Sequence, residues 1–357
     1  MRLLYALIAA AVLSACTATS LALSHIPETP AVPEVTYCHA RNDSTGVNFQ
    51  LSEPTDAGEM ARWCRAVGTP VVASPALSIA EPPRVDEVVT VAWNAHLADG
   101  DLPRLIDELK RGSLTGGKPV RHFVLLVQEL YRRGDAVPEF NPQDRTAFAI
   151  KARNPLSPDV EDYAESLGLS MVYVPSMRNG AELREDRGNA IISTEPLLAP
   201  MAIELPLARQ RRVAIAAGVN VRTGDAIKRL ELVNAHLEPL SSPRTLWIFQ
   251  NPRGRQVRAI LDVLDSPRFN GDAVAGVVLG GDFNMVKRGD REEAYQHARA
   301  WSASLRDEDR RDTHMMGRLD YVFFRSADGW IANTSRIDDR FGSDHHPVLA
   351  RFHRFPE

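Results

Sequence analysis

Between residues 88 and 352 the chain repeats one device, a short apolar run that stops on a polar side chain. Val-Val-Thr-Val-Ala-Trp stops on Asn94, Val-Leu-Leu-Val on Gln128 and Glu129, Leu-Val-Asn-Ala on His236, and Val-Val-Leu-Gly-Gly on Asp282. Runs of that length and composition are buried strands, and 171–174, 190–192, 213–219, 319–324 and 348–352 extend the series. Apolar residues recur at helical spacing over 102–109, 256–264 and 292–304, and over 158–167 with Ser157 as N-cap. Strand and helix alternate without a change of composition, which predicts one mixed α/β domain over 87–357.

Ahead of that domain the sequence reads as three pieces. Arg2 precedes an apolar run over 3–15, shorter than the roughly 20 residues that span a bilayer and of the length of a signal-peptide core. The run ends in Leu13-Ser14-Ala15-Cys16, which looks like a bacterial lipobox and makes Cys16 the lipidated first residue of the mature chain. Residues 16–35, with Pro27, Pro30 and Pro33, read as a tether, and 36–86 as an irregular extension. That extension carries Cys38 and Cys64, a pair that an oxidising compartment keeps as a disulfide. The expected location is the cell envelope, with Thr17 after the cysteine resembling sorting to the outer membrane. The formal net charge of -4 gives no whole-molecule field that draws in a polyanion, so any phosphate recognition must be local.

Strand ends are where a rigid scaffold presents chemistry. Besides those named, Asp320 lies in Leu-Asp-Tyr-Val-Phe, and Asp344 and His345 in Gly-Ser-Asp-His-His-Pro. Singly, each has an ordinary explanation: Gly-Gly-Asp-Phe-Asn suits a turn, and His236 suits a hydrogen-bonded core. Asp320 is harder to dismiss, because a lone carboxylate in an apolar strand is costly. Together, Glu129, Asp282, Asp320 and Asp344 with the amides of Asn94 and Asn284 form an oxygen-rich set without thiolates. Such a set suits a hard divalent cation.

The segments VAWN, VQE, YVPS with RGNAIIS, NAHL, GGDFN, LDYVF and SDHHP, in that order, resemble the endonuclease/exonuclease/phosphatase (DNase I-like) superfamily. The resemblance implies a four-layer α/β/β/α sandwich of two packed mixed sheets, with the site at one edge. It implies Mg²⁺ or Mn²⁺ held by Glu129 and Asp344, with Asn94 close by. Asp282 then orients or deprotonates the attacking water and Asn284 assists it. His236 faces phosphate as a donor, and Asp320 orients and charges His345, which stabilises the phosphoryl oxygens. Tyr173, Asn189 and Arg187 are weaker candidates for substrate contact, and Arg178 and Arg184 lie nearby. His96 stands where some nucleases carry an acid, so one metal or two stays open.

The implied activity is phosphodiester hydrolysis by in-line water attack, nuclease-like, on a phosphoester substrate with nucleic acid among the candidates. A lipid or sugar phosphoesterase is the alternative, and a non-catalytic binding lipoprotein is the alternative of another class. The membrane is the one macromolecular partner the sequence implies, through its lipid anchor; no protein partner is implied, and a monomer is expected.

Overall fold

The computed structural model describes residues 46–51, 57–75, 81–139, 157–178, 184–208, 210–239, 252–286 and 291–354. The proposed signal peptide, Cys16, the tether and Cys38 lie outside them. Cys64 is disulfide-bonded, and its partner lies outside the described residues. No helix among those residues is long and apolar enough to cross a membrane.

Strands are numbered along the chain. Among the described residues, one mixed sheet has six, in the order β1 (Asn48–Leu51), β7 (Leu198–Glu204), β8 (Val213–Thr223), β9 (Ala226–His236), β10 (Val274–Asp282) and β12 (Asp320–Arg325). The other has eight: β11 (Leu305–Asp307), β13 (Trp330–Arg336), β14 (Val348–Arg354), β3 (Val88–Asn94), β4 (His122–Arg133), β6 (Glu185–Ser193), β5 (Ser170–Arg178) and β2 (Val71–Ala73). Segment 36–86, read as an extension, thus supplies an edge strand to each sheet. It also contains helix α1 (Ala57–Arg65).

The apolar runs are buried on both faces, and alternation divides them between two cores. On β3 and β4, Val88, Ala92, Val124 and Leu126 point between the sheets. Val89, Val91, Trp93, Phe123, Leu125 and Val127 point the other way, against helix α2 (Leu102–Arg111). That helix forms where Asp101 accepts a hydrogen bond from Arg104 N at 3.0 Å and ends at Gly112 in the left-handed region. It buries Leu102, Leu105, Ile106 and Leu109, one stripe of its surface. Beyond the six-stranded sheet, α4 (Pro252–Leu264) buries Val257, Ile260, Val263 and Leu264 in one cluster with that sheet's apolar residues. Helix α5 (Glu293–Trp301) packs against α4 and adds Ala294, Tyr295 and Ala298. The four-layer sandwich is therefore the fold.

Helix α3 (Val160–Ser166) corrects one expectation. Asp159, not Ser157, is its N-cap: Asp159 Oδ1 accepts from Glu161 N at 2.8 Å, and Asp162 Oδ2 accepts from Asp159 N at 2.8 Å. A carboxylate serves two orphan amides and returns charge to the helix N-terminus, which a hydroxyl cannot do.

A buried polar knot joins the early segment to the eight-stranded sheet. Asp186 accepts from Arg132 Nη2 at 2.7 Å, Tyr173 Oη at 2.9 Å and Gly68 N at 2.7 Å. Both charges are fully buried. Replacing Asp186 by Ala leaves Arg132 unpaired in the interior and is expected to cost about 3–5 kcal/mol, read by urea denaturation. A loss below 1 kcal/mol would show that water reaches the guanidinium.

Candidate active site

Three neighbouring strands of the six-stranded sheet finish in one row. Asp282, the last residue of β10, stands opposite His236 on β9 and opposite Asp320 on β12. Strand β12 runs antiparallel to β10, so its first residue meets the other strands' last. Side chains level across a sheet share a face, so register alone groups these three. The eight-stranded sheet delivers Asn94 from the end of β3, paired with Gln128 of β4.

Glu129 arrives differently. It has φ +57 inside β4, where the pairing with β6 slips between Val127 and Leu130. The bulge turns one residue out of the alternation, a device common beside active sites. Asn284 also has a positive φ, +52. Between them, Gly281 (φ +134) is obligatory, since a Cβ there would lie 1.9 Å from Ala235 O.

Asp282 is fixed at both oxygens. Asn94 Nδ2 donates to Oδ2 at 2.9 Å and Asn284 N to Oδ1 at 2.8 Å. Asn284 Nδ2 itself donates to Leu237 O at 3.0 Å. Burial foremost, then the nearby Asp320, pushes the Asp282 carboxyl up to about 7, while His345 and the two asparagines hold it back.

His345 Nδ1 lies 2.7 Å from Asp320 Oδ2. Its Nε2 lies 4.0 Å from Asp282 Oδ2 and 3.8 Å from Asp344 Oδ1. Burial disfavours its charge, but Asp320, then Asp282 and Asp344, raise it to about 10. The ring is an imidazolium at neutral pH. The loop is anchored by Ser343, whose Oγ donates to Asn94 O at 2.7 Å and accepts from His345 N at 3.0 Å. Trp93 Nε1 donates to His345 O at 3.2 Å.

His236 is the opposite case. Its Nε2 stands 3.6 Å from Asp282 Oδ2 and 3.9 Å from Glu129 Oε1, beyond hydrogen-bond reach. Burial, then Arg212, Arg187 and His345, push it well below the usual imidazole range, so it is neutral. One histidine is therefore charged and one neutral within 4.0 Å of the same carboxylate oxygen.

Asp344 is ringed by imidazoles. His96 Nδ1 approaches Oδ1 to 2.9 Å without hydrogen-bond alignment, and His314 Nε2 lies 3.4 Å from Oδ2. Burial works against its charge, yet His96, His345 and His314 hold it below the usual carboxylate range. His314 Nδ1 accepts from Met316 N at 3.1 Å, so the neutral ring carries its proton on Nε2 and donates toward Asp344. Burial, with His345 beside it at 4.7 Å between ring centres, lowers its pKa.

A divalent cation fits this donor set. Asp344 Oδ1 is buried and accepts no hydrogen bond, and Glu129 makes none among the described residues. Carboxylates with oxygens free of hydrogen bonds suit a hard cation, and Asn94 Oδ1 is taken by His96 N at 2.9 Å. His314, Asp344 and His345 also converge within 4.8 Å. Both imidazoles are donors there, which leaves Asp344 as that group's ligand.

Other residues expected near substrate lie elsewhere. Tyr173 is fully buried and donates to Asp186. Asn189 Nδ2 donates to Val213 O at 2.7 Å, across the two sheets. Arg178 donates to Pro138 O, and Arg184 Nε to Val137 O at 3.0 Å. Arg187 is half-buried, and its charge is felt at His236. Patterning misses His314, which enters from a tight turn closed by paired His314 and Gly317 backbone bonds. It also misses Arg212, whose charge bears on His236 and which precedes a strand instead of following one.

A sequence profile described as Endonuclease/Exonuclease/phosphatase family matches residues 91–345. No curated protein sequence matches the chain. Among solved structures, the chain is similar to an endonuclease/exonuclease/phosphatase from Beutenbergia cavernae DSM 12333, at 17% identity and TM-score 0.51, covering 74% of this chain and 71% of that one. It is also similar to the human Nocturnin catalytic domain with bound sulfate anion, at 16% identity and TM-score 0.46, covering 74% and 94%. A third is sphingomyelinase C from Streptomyces griseocarneus, at 16% identity and TM-score 0.40, covering 74% and 98%. With the profile spanning most of the sandwich and all the strand-end residues above, the chain belongs to the endonuclease/exonuclease/phosphatase family.

Proposed function

We propose that the protein is a divalent-metal-dependent phosphodiesterase that cleaves by in-line attack of water, with nucleic acid or a nucleotide-like ester as substrate. The observation that supports this most is the opposition of Asp282 and His345. A carboxylate clamped at both oxygens and raised to about 7 faces an imidazolium 4.0 Å away, with no Ser or Cys nucleophile needed.

Glu129 and Asp344 would hold Mg²⁺ or Mn²⁺, which supplies Lewis-acid stabilisation of phosphoryl charge when bound. Asp282 accepts the proton of the attacking water, while Asn94 and Asn284 keep its oxygens from rotating. His345 Nε2–H donates to a phosphoryl oxygen, and Asp320 holds the ring in that orientation. Neutral His236 offers a second polar edge to phosphate.

A lipid phosphoester is the second reading. Met315 is 86% exposed and Met316 49%, immediately after His314. Flexible apolar side chains at the rim suit an acyl chain better than a phosphodiester backbone. Anchoring through Cys16 at the outer membrane belongs to the same proposal, and detergent-phase partition should fail in Cys16→Ala.

Hydrolysis of bis-(p-nitrophenyl) phosphate, plasmid DNA and sphingomyelin, each with Mn²⁺ or Mg²⁺ and with EDTA, tests both readings. Cleavage abolished by EDTA is expected, and the preferred substrate decides between them. No turnover of any, with no calorimetric Mg²⁺ binding by folded protein, would leave the binding-lipoprotein alternative.

A further inference from the structure

The end of the sandwich remote from the site carries a second concentration of positive charge. Strand β3 runs from Val88 to Asn94 in the site, and β4 lies parallel to it with Val88 opposite His122, so both strands begin at that remote pole. Strand β14 runs the other way and brings Arg351 level with Val89. A cleft of about 430 Å³ opens there, lined by Lys118, Arg121 and Arg351 together with Asp86 and Glu87. Among the described residues, the side chains of these three cations make no hydrogen bond or ion pair. The two acids are already engaged: Arg84 Nε donates to Asp86 Oδ1 at 3.0 Å, and Arg84 N to Glu87 Oε2 at 2.8 Å. The turn before Lys118 is fixed, with Gly117 N donating to Gly112 O at 2.9 Å and Thr115 Oγ1 donating to Gly112 O at 3.2 Å and to Lys118 O.

Three like charges around one cleft repel one another unless an anion lies between them, and the path of the chain says which anion. Strand β1 is parallel to β7, with Asn48 opposite Met201 and Leu51 opposite Glu204. Glu204 pairs with Val213, which is level with His236 of the site because Ile215 stands opposite Asn234. Strand β1 therefore runs toward the site, and the chain enters it from the side of the remote pole. The same pole carries Ile227, 61% exposed and opposite Arg222 in the β8–β9 hairpin. Arg222 N donates to Pro83 O at 2.8 Å, which ties that hairpin to the segment bearing Asp86 and Glu87. Unpaired cations for headgroup phosphates, an exposed apolar side chain and the entry of the chain all lie on one pole, as attachment to a lipid surface requires.

We propose that the pole bearing Lys118, Arg121 and Arg351 docks on an anionic lipid surface, with the cleft taking a headgroup phosphate. The active site then faces away from the bilayer, toward substrates in the water, which favours nucleic acid or a nucleotide-like ester over a lipid phosphoester. The inference rests on the reading of Cys16 as an anchor for how the chain reaches a membrane, and on the phosphodiesterase reading only for that choice of substrate. The docking itself needs neither an acyl group nor turnover.

The test is co-flotation of the mature chain carrying Cys16→Ser, which has no acyl group, with vesicles of phosphatidylcholine alone or of equal parts phosphatidylcholine and phosphatidylglycerol. The chain should float only with the anionic vesicles. Each of Lys118→Gln, Arg121→Gln and Arg351→Gln should lower the partition coefficient by about 5-fold, and the triple variant by on the order of 100-fold. Tm and hydrolysis of bis-(p-nitrophenyl) phosphate should stay unchanged in all of them. An environment-sensitive dye on Ile227→Cys should shift to the blue on anionic vesicles, and the same dye on Met315→Cys should not. Equal flotation of the parent chain and the triple variant overturns the proposal. So does a blue shift at Met315→Cys alone, which would turn the rim of the site to the lipid. Binding of inorganic phosphate that the triple variant loses, without flotation of the parent chain, overturns it in favour of a free anion. Flotation that depends on the three cations, with no ester hydrolysed, would keep the docking and remove the enzyme. Hydrolysis without flotation would do the reverse.

Discussion

Asp282→Asn is expected to slow hydrolysis by about 10²–10⁴-fold, the range for losing a positioned general base. The substitution keeps the shape and the contact with one of the two asparagines, so KM should change little. The wild-type pH profile carries the same information. Asp282 must be deprotonated to accept a proton, so its raised pKa makes kcat/KM climb with pH through about 7. A cation held by Glu129 can only lower that limb. His345 must be protonated to donate, so activity falls again as pH rises through about 10. A plateau between the limbs is the expected bell. An Asp282→Asn enzyme with wild-type kcat, or one whose acidic limb is unmoved, would remove Asp282 from the proton transfer.

His345→Ala should cost about 10²–10³-fold in kcat, as for the loss of one preorganised donor to a developing charge. Asp320→Asn separates orientation from charge. The amide can still hold Nδ1, but the largest influence raising the imidazole is gone. The alkaline limb should therefore move down by about 1–3 units while activity at pH 6 survives. If Asp320→Asn loses activity equally at every pH, Asp320 only holds the ring in place.

Much of this site is legible in the sequence because strand ends are local signals. Asn94, Glu129, His236 and Asp282 each follow an apolar run that only a buried strand explains. Elements near the sheet margins escape for the converse reason. Strand β7 contains Pro200 and is half-exposed over its first residues, and β13 is largely polar, so neither shows a buried run. The 3- and 4-residue strands β2 and β1 are too short to show a period. The backbone reversal at Glu129 leaves no trace in residue type, whereas asparagine at 284 is a residue that tolerates one. Tyr173 reads like a site residue because it lies in the YVPS segment, yet its hydroxyl is buried in the Asp186 knot.

Asn234 lies two residues before His236, in the middle of the sandwich. Its Nδ2 donates to Val127 O at 2.9 Å and Ala190 O at 2.8 Å, and its Oδ1 accepts from Gln128 Nε2 at 2.7 Å. Apolar sheets can slide over one another with little change in buried area; three buried hydrogen bonds crossing from one sheet to the other cannot. The amide acts as a dowel. It sets the offset between the sheet that carries Glu129 and Asn94 and the sheet that carries Asp282 and His236. The offset between those two strand-borne pairs is therefore a property of how the two halves are keyed together, not of the loops around the mouth. Those loops can lengthen, shorten or change chemistry while the key stays in place, which leaves substrate choice free to vary above a fixed reaction.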